Sequence, residues 1–156
     1  MTSEEEESSN SLDAESALHW AEVRFRQLSA VTDSNLRIQQ ISSASLAYLG
    51  DAVYELYIRT HHLLPPKRIS DYHHQVVAQV RAESQASHLR SLEPYLTDPE
   101  LEILRRGRNA VTGSPRRLEP KTYQQATSLE TLMGYLYLTN PQRLTQLLAH
   151  LDLDPH

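Results

Sequence analysis

The sequence predicts an all-α fold built as a single helical domain. Three observations carry that prediction. No stretch alternates apolar and polar residues with a period of two, so no sheet is expected. Two long segments, 43–62 and 120–138, place apolar residues at helical spacing. Two helix-start signals stand between and after them: Thr97-Asp98-Pro99-Glu100 reads as a capping box with a first-turn proline, and Asn140-Pro141 as an N-cap followed by proline.

Taken in order, residues 1–13 combine low hydrophobicity with high charge and are expected to be disordered. Residues 14–29 have a poor apolar stripe and read as a partly helical leader, with Trp20 and Phe25, the only residues of their kinds, as anchors to the core. Ser42 or Ser43 is the expected N-cap of the first core helix. Its apolar stripe is Leu46, Leu49, Val53 and Leu56, and Pro65-Pro66 ends it after about His62. A second helix is expected from Ser70 to Leu92, with Val76, Val77 and Val80 inside. The helix opened by Thr97 should turn Leu101 and Leu104 inward and end near Gly107. Residues 110–119 hold glycine, proline and serine and read as a flexible loop. A long helix follows from Pro120 to Leu138, with Tyr123, Leu129, Leu132, Met133 and Leu136 buried. The last carries Leu144, Leu147, Leu148 and Leu151.

A chain of 156 residues, 39% of them hydrophobic, suits one domain with a real core. The absence of cysteine excludes disulfides and cysteine-ligated zinc. No apolar run approaches the ~18 residues of a membrane span, and MTSEEEESSNS is unlike a secretory signal, so a cytoplasmic location is expected. The net charge of −5 hides an uneven distribution. Residues 1–35 hold eight acids against two bases, residues 36–151 ten acids against thirteen bases, and residues 152–156 add Asp152 and Asp154. The expected organisation is therefore an acidic leader (1–35), a mildly basic domain (36–151) and a short acidic tail (152–156).

Two carboxylates stand out. Gly50-Asp51-Ala52 interrupts the apolar stripe of the first helix. A glycine there costs ~1 kcal/mol against alanine, so something must approach the backbone closely. Asp51 reads either as a metal ligand or as an aspartate on the polar edge of a core helix. Glu130 lies among Leu129, Leu132 and Met133, an apolar neighbourhood that makes a carboxylate costly without a cation. It too has a plainer reading, on the rim of the stripe. Residues 105–121 hold Arg105, Arg106, Arg108, Arg116, Arg117 and Lys121 against Glu119 alone, a cluster suited to phosphate. Asn109 could position a ligand or cap the helix. His61-His62 and His73-His74 lack the i,i+4 spacing of a helical zinc site and read as surface or junction residues.

Four stretches, in order, carry a resemblance. LAYLGDAVYELYIR at 46–59, RRGRNA at 105–110, PKTYQQAT at 120–127 and LETLMGYLYL at 129–138 resemble the ribonuclease III family, most closely its short Mini-ribonuclease III branch, which lacks a double-stranded-RNA-binding domain. The agreement covers residues 36–150. It implies a ribonuclease III-like helical endonuclease, magnesium-dependent, cutting double-stranded RNA as a homodimer to give 5′-phosphate and 3′-hydroxyl ends. The implied substrate is precursor 23S ribosomal RNA; no membrane and no nucleotide cofactor are expected. By the same resemblance Asp51 and Glu130 match the metal-binding carboxylates, and Lys121 and Tyr123 form a PKxY pattern that reads as RNA contact. Tyr48, Leu49 and Tyr54 exceed what one thin domain can bury and are expected at the dimer interface. The chain departs from full-length members at Ala44, Ala47 and Thr127, where they carry carboxylates, so weaker metal binding is expected. Asp71 and Glu55 have either a supporting role near the metal or plain roles at a helix start and on the surface. The alternative function is a non-catalytic RNA-binding module of a ribosomal particle.

Overall fold

A computed structural model describes Val23, Arg26 and residues 38–153. The chain divides into two units, Met1–Arg37 and Ile38–His156. The expectations for the leader, Trp20 and Phe25 included, and for Asp154 lie outside the described residues.

Within the second unit, all regular structure among the described residues is helical. Six α-helices follow one another: α1 (Ser43–His62), α2 (Ile69–Val80), α3 (Ala82–Leu92), α4 (Asp98–Asn109), α5 (Pro120–Thr139) and α6 (Pro141–Leu148). Short 3-10 turns occupy Ile38–Gln40 and Glu93–Tyr95.

The Ser42 hydroxyl caps α1 by accepting from the Ser45 N–H at 3.1 Å. The inward face of α1 is Leu46, Ala47, Gly50, Tyr54, Ile58 and His62, one turn apart for most of its length. This differs from the expected stripe: Leu56 is exposed, and Leu49 and Val53 are only half-buried. The reason lies at Gly50. A Cβ there would sit 1.7 Å from the Glu130 carbonyl oxygen, and one at Gly134 would sit 2.0 Å from the Leu46 carbonyl oxygen. Two glycines let α1 and α5 meet backbone to backbone, so the small residues, not the leucines, define the inward face. Tyr54 continues that face and is fully enclosed by its own chain, its hydroxyl donating to the Gln79 carbonyl at 2.9 Å. The expectation of Tyr54 at a dimer interface is therefore corrected. His62 is buried as well, whereas His61, His73 and His74 are exposed as expected.

The expected single helix from Ser70 to Leu92 is two. Arg81 adopts an extended backbone (ψ 154°) between α2 and α3. No glycine or proline marks the break. Side chains just beyond it take the carbonyls that the break leaves open: Ser84 Oγ donates to the Ala78 carbonyl, and Gln85 Nε2 to the Val80 carbonyl at 2.8 Å.

The capping box at α4 is complete, with Thr97 and Glu100 each bonding the other's backbone N–H. Glu100 is buried and also receives a two-pronged bond from Arg143 at 2.9 and 3.0 Å, tying the start of α4 to the start of α6. On α4, Ile103 and Leu104 point inward and Leu101 outward. Gly107 does not end the helix; it is buried against Ser128 and Thr131 of α5, and α4 runs two residues further. Asn140 caps α6 by accepting from the Arg143 N–H at 3.1 Å.

The core is arranged around α5. Leu129, Leu132, Met133 and Leu136 are enclosed by Tyr54 and Ile58 of α1, Leu89 and Leu92 of α3, Ile103 and Leu104 of α4, and the leucines of α6. Each such side chain contributes about 1.5–3 kcal/mol on leaving water, so α5 is the element the others are held by. Its most extensive neighbour is α1.

Candidate active site

The crossing of α1 and α5 sets the site. Asp51 follows Gly50 on α1, and Glu130 supplies the carbonyl against which Gly50 packs. Both carboxylates line one cleft of about 700 Å³. Asp51 is exposed at its mouth and Glu130 half-buried. Among the described residues neither forms an ion pair with a base. Burial and the nearby Asp51 push the Glu130 carboxyl up to about 7. Burial, then Glu55, raise Asp51 as well. Two carboxylates whose surroundings both disfavour ionisation, with no neutralising base among the described residues, present hard oxygen donors suited to a divalent cation. Among the described residues no group of three or more His, Asp or Glu forms a fuller metal cage.

The remaining walls come from four places. Ala44, Ala47 and Tyr48 line the cleft from α1, Tyr123, Ala126 and Thr127 from α5, and Val80, Ala82 and Gln85 from the α2–α3 break. The loop after α4 closes the rest through Ala110–Gly113 and Leu118. The segment that carries the bases therefore borders the cleft through its uncharged residues, and the bases themselves are not among the cleft lining. Arg105, Arg106, Arg108 and Asn109 are exposed on the last turns of α4, Arg116 and Arg117 are exposed in the loop, and Lys121 is exposed in the first turn of α5. They are not equivalent. Glu102 accepts from Arg105 at 2.6 and 2.8 Å and pairs with Arg106 at 3.4 Å. The Arg105 hydrogen bonds hold the Glu102 carboxyl down to about 2. Arg108, Arg116, Arg117 and Lys121 make no ion pair among the described residues.

The ribonuclease III domain profile matches residues 44–141. The chain belongs to the ribonuclease III family. A Mini-ribonuclease 3 of Synechocystis is 59% identical over 116 residues, covering 74% of this chain and 81% of that protein. The Mini-ribonuclease 3 of Thermosynechococcus vestitus is 52% identical over 123 residues, covering 79% and 82%. A crystal structure of a Fusobacterium nucleatum protein, 29% identical, superimposes with a TM-score of 0.67 over 72% of this chain and 93% of that one. The ribonuclease III-like helical fold expected from the sequence is thereby established.

For a family member, the departures noted in the sequence take on a place. Ala44, Ala47 and Thr127 all line the cleft beside Asp51 and Glu130. Asp71 is exposed in the first turn of α2 and is not among the cleft residues. Glu55 bonds Arg59 at 3.1 Å, one turn along α1. Tyr48 is 85% exposed next to the cleft, and Leu49 is half-buried. Sequence reasoning missed Gln85, which is 3% exposed. The signal was present: Ala82, Ala86, Leu89 and Leu92 share one helical face, and Gln85 interrupts it.

Proposed function

We propose that this protein is an endoribonuclease that cuts double-stranded RNA with a divalent cation, magnesium, held by Asp51 and Glu130. One observation carries the proposal: two carboxylates without a basic partner among the described residues share one cleft at a glycine crossing, and the loop that carries Arg116 and Arg117 forms part of its wall through uncharged residues. A bound magnesium ion would supply Lewis acidity for phosphodiester hydrolysis. Asp51, at the mouth, and Glu130, deeper, provide its protein ligands. Arg108, Arg116, Arg117 and Lys121 hold phosphates on either side of the scissile bond, and Tyr123, half-buried in the cleft wall, supports Lys121. Arg105 and Arg106 exchange Glu102 for phosphate on binding, and Asn109 borders the same path. Reading of A-form RNA through phosphates and 2′-hydroxyls suits such a loop. Water adds across the P–O3′ bond, leaving a 5′-phosphate and a 3′-hydroxyl.

The names of the relatives support assignment to the Mini-ribonuclease branch. With it come the finer elements of the proposal: trimming of precursor 23S ribosomal RNA in the cytoplasm, and a homodimer in which each protomer cuts one strand. The exposed Tyr48 and half-buried Leu49 of α1 support a two-fold contact there. Sedimentation should then show twice the 17.8 kDa chain mass.

The deciding experiment is cleavage of an RNA duplex at saturating magnesium by Asp51→Asn and Glu130→Gln. Each is expected to abolish cutting while duplex binding persists. Near-normal cutting by either variant removes that residue from the mechanism. A natural chain that binds duplex RNA without cutting it at any magnesium concentration makes the protein a binding module instead.

A further inference from the structure

The bases assigned to RNA all come from one stretch of sequence, residues 105–121. One further arginine stands beside a different wall of the cleft. Arg81 separates α2 from α3 with an extended backbone (ψ 154°). Its two chain neighbours, Val80 and Ala82, both line the cleft that holds Asp51 and Glu130. Arg81 itself is exposed and is not among the lining residues. The break is tied down by its own side chains. Ser84 Oγ donates to the Ala78 carbonyl and accepts from Arg81 Nε at 3.3 Å. That contact anchors the near end of the guanidinium, and its two terminal nitrogens make no hydrogen bond among the described residues. Other arginines are answered by acids: Glu55 pairs with Arg59, Glu102 with Arg105 and Arg106, and Glu100 with Arg143. Arg81 makes no ion pair among the described residues. A guanidinium held at Nε with both terminal amino groups open presents a fork suited to phosphate.

We propose that Arg81 is a phosphate-binding residue, holding the RNA backbone at the wall of the cleft that the α2–α3 break forms. The inference rests on the reading of this cleft as a duplex-RNA site. Contacts from residues 105–121 alone fix a strand along one edge and leave it free to pivot over the carboxylates. A second contact, from a wall that those residues do not form, sets the direction in which the strand crosses Asp51 and Glu130. Phosphate contacts do this without reading sequence: they fix register and orientation on a duplex. The break therefore has a use. No glycine or proline imposes it, and it places a charged, extended residue between two residues of the cleft wall.

The test is duplex-RNA binding by the full chain across a range of salt, in chelator so that metal-dependent cutting does not interfere. Arg81→Gln removes the charge at an exposed position, so the fold is expected to survive. Each phosphate contact contributes roughly 0.9 to the slope of log K against log salt on duplex DNA, and duplex RNA is treated alike. The variant is expected to flatten the slope by about one unit, an affinity loss of about eightfold near ~0.1 M salt that vanishes toward ~1 M. Arg81→Lys keeps the charge and is expected to keep the slope. Arg68→Gln is the control: Arg68 is also exposed and without an ion pair among the described residues, but lies at the far end of α2, about 18 Å from the break. Its slope is expected to be unchanged. Duplexes with a single uncharged methylphosphonate locate the contact. Arg81→Gln should become indifferent to the substitution at a position where the Arg116→Ala, Arg117→Ala double variant still responds. An unchanged slope in Arg81→Gln overturns the proposal. So does an equal flattening in Arg68→Gln, which would make the effect one of net charge, or in Arg81→Lys, which would make it one of the helix break. Indifference at the same position as the loop variant overturns it too. If the loop variant also leaves the slope unchanged, the RNA reading of the cleft falls as well. If the loop variant flattens the slope and Arg81→Gln does not, only this inference falls.

Discussion

Gly50→Ala adds a single methyl group at the α1–α5 crossing, and two opposing effects follow. In an isolated helix, alanine is better than glycine by about 1 kcal/mol. Here its Cβ would lie 1.7 Å from the Glu130 carbonyl oxygen and 2.7 Å from the Gly134 nitrogen. Both are backbone atoms, so no side chain can turn aside. Reaching even 3.0 Å, the shortest separation at which Cβ contacts occur, requires α1 and α5 to part by about 1.3 Å. A gap of ~0.5–1 Å already forfeits a quarter to a half of each dispersion contact, and overpacking of a core costs typically 1–3 kcal/mol. With rigid backbone on both sides, we expect the steric term to win by about 2–4 kcal/mol net. For a domain of this size that lowers the melting temperature by roughly 10–20 °C. The same movement displaces Asp51 from Glu130, and a 1 Å misplacement at a reacting centre can lower rates about 100-fold. Urea denaturation and single-turnover cleavage of an RNA duplex measure the two consequences. Gly113→Ala is the comparison: nothing lies within 4 Å of its Cβ and its φ is not positive, so stability and rate should not fall. If Gly50→Ala is as stable and as fast as the natural chain, the crossing does not set the site.

Other outcomes follow from the electrostatics. In the metal-free protein, Glu130 holds its proton up to about pH 7 when folded but only to its ordinary 4.5 when unfolded. The stability this contributes is present below pH 4.5 and is lost as pH rises through 7, by at most about 3 kcal/mol; thermal denaturation in chelator should show the fall, and magnesium or Glu130→Gln should flatten it. At Glu100, burial pushes the carboxyl up, but hydrogen bonds from Arg143 and Thr97 outweigh it and leave it below its ordinary value. Arg143→Met should strand that buried carboxylate at a cost of about 3 kcal/mol near neutral pH, with part of the loss recovered as Glu100 takes up a proton in acid. Replacing Arg116 and Arg117 by alanine should weaken duplex binding and flatten the slope of log K against log salt by about one to two units, with stability within ~0.5 kcal/mol; an unchanged slope would place the RNA elsewhere.

Much of the architecture was legible because its signals are local. The capping box at Thr97 and Glu100, the Asn140-Pro141 start and the apolar face of α5 all act within one or two turns, and each appears where the sequence puts it. The failures are long-range except for the helix break, whose contacts are local but carry no sequence signal. The break at Arg81 has no glycine or proline; it is stabilised by Ser84 and Gln85 reaching back to carbonyls that only the folded geometry opens. The inward face of α1 was misread because helical periodicity weighs leucines above glycine, whereas the partner helix selects the smallest residues for contact. Tyr54 looked surplus to one domain until α2 and α3 closed over it. At the site, the two carboxylates were visible as polar residues in apolar surroundings. Gln85 was not singled out, since a neutral amide on a mixed helix raises no electrostatic alarm.

The glycine crossing also governs when the domain acquires its chemistry. Asp51 and Glu130 lie on α1 and α5, with three helices of sequence between them. A ribosome has made α1 to α4, and the whole basic segment, before the second carboxylate is even in the chain. Until α5 has emerged and seated its glycine against α1, the nascent polypeptide carries the arginines proposed to touch RNA but not the pair of carboxylates proposed to support its hydrolysis. The growing chain is held beside the very class of molecule it is proposed to cut, the messenger being read and the ribosome reading it.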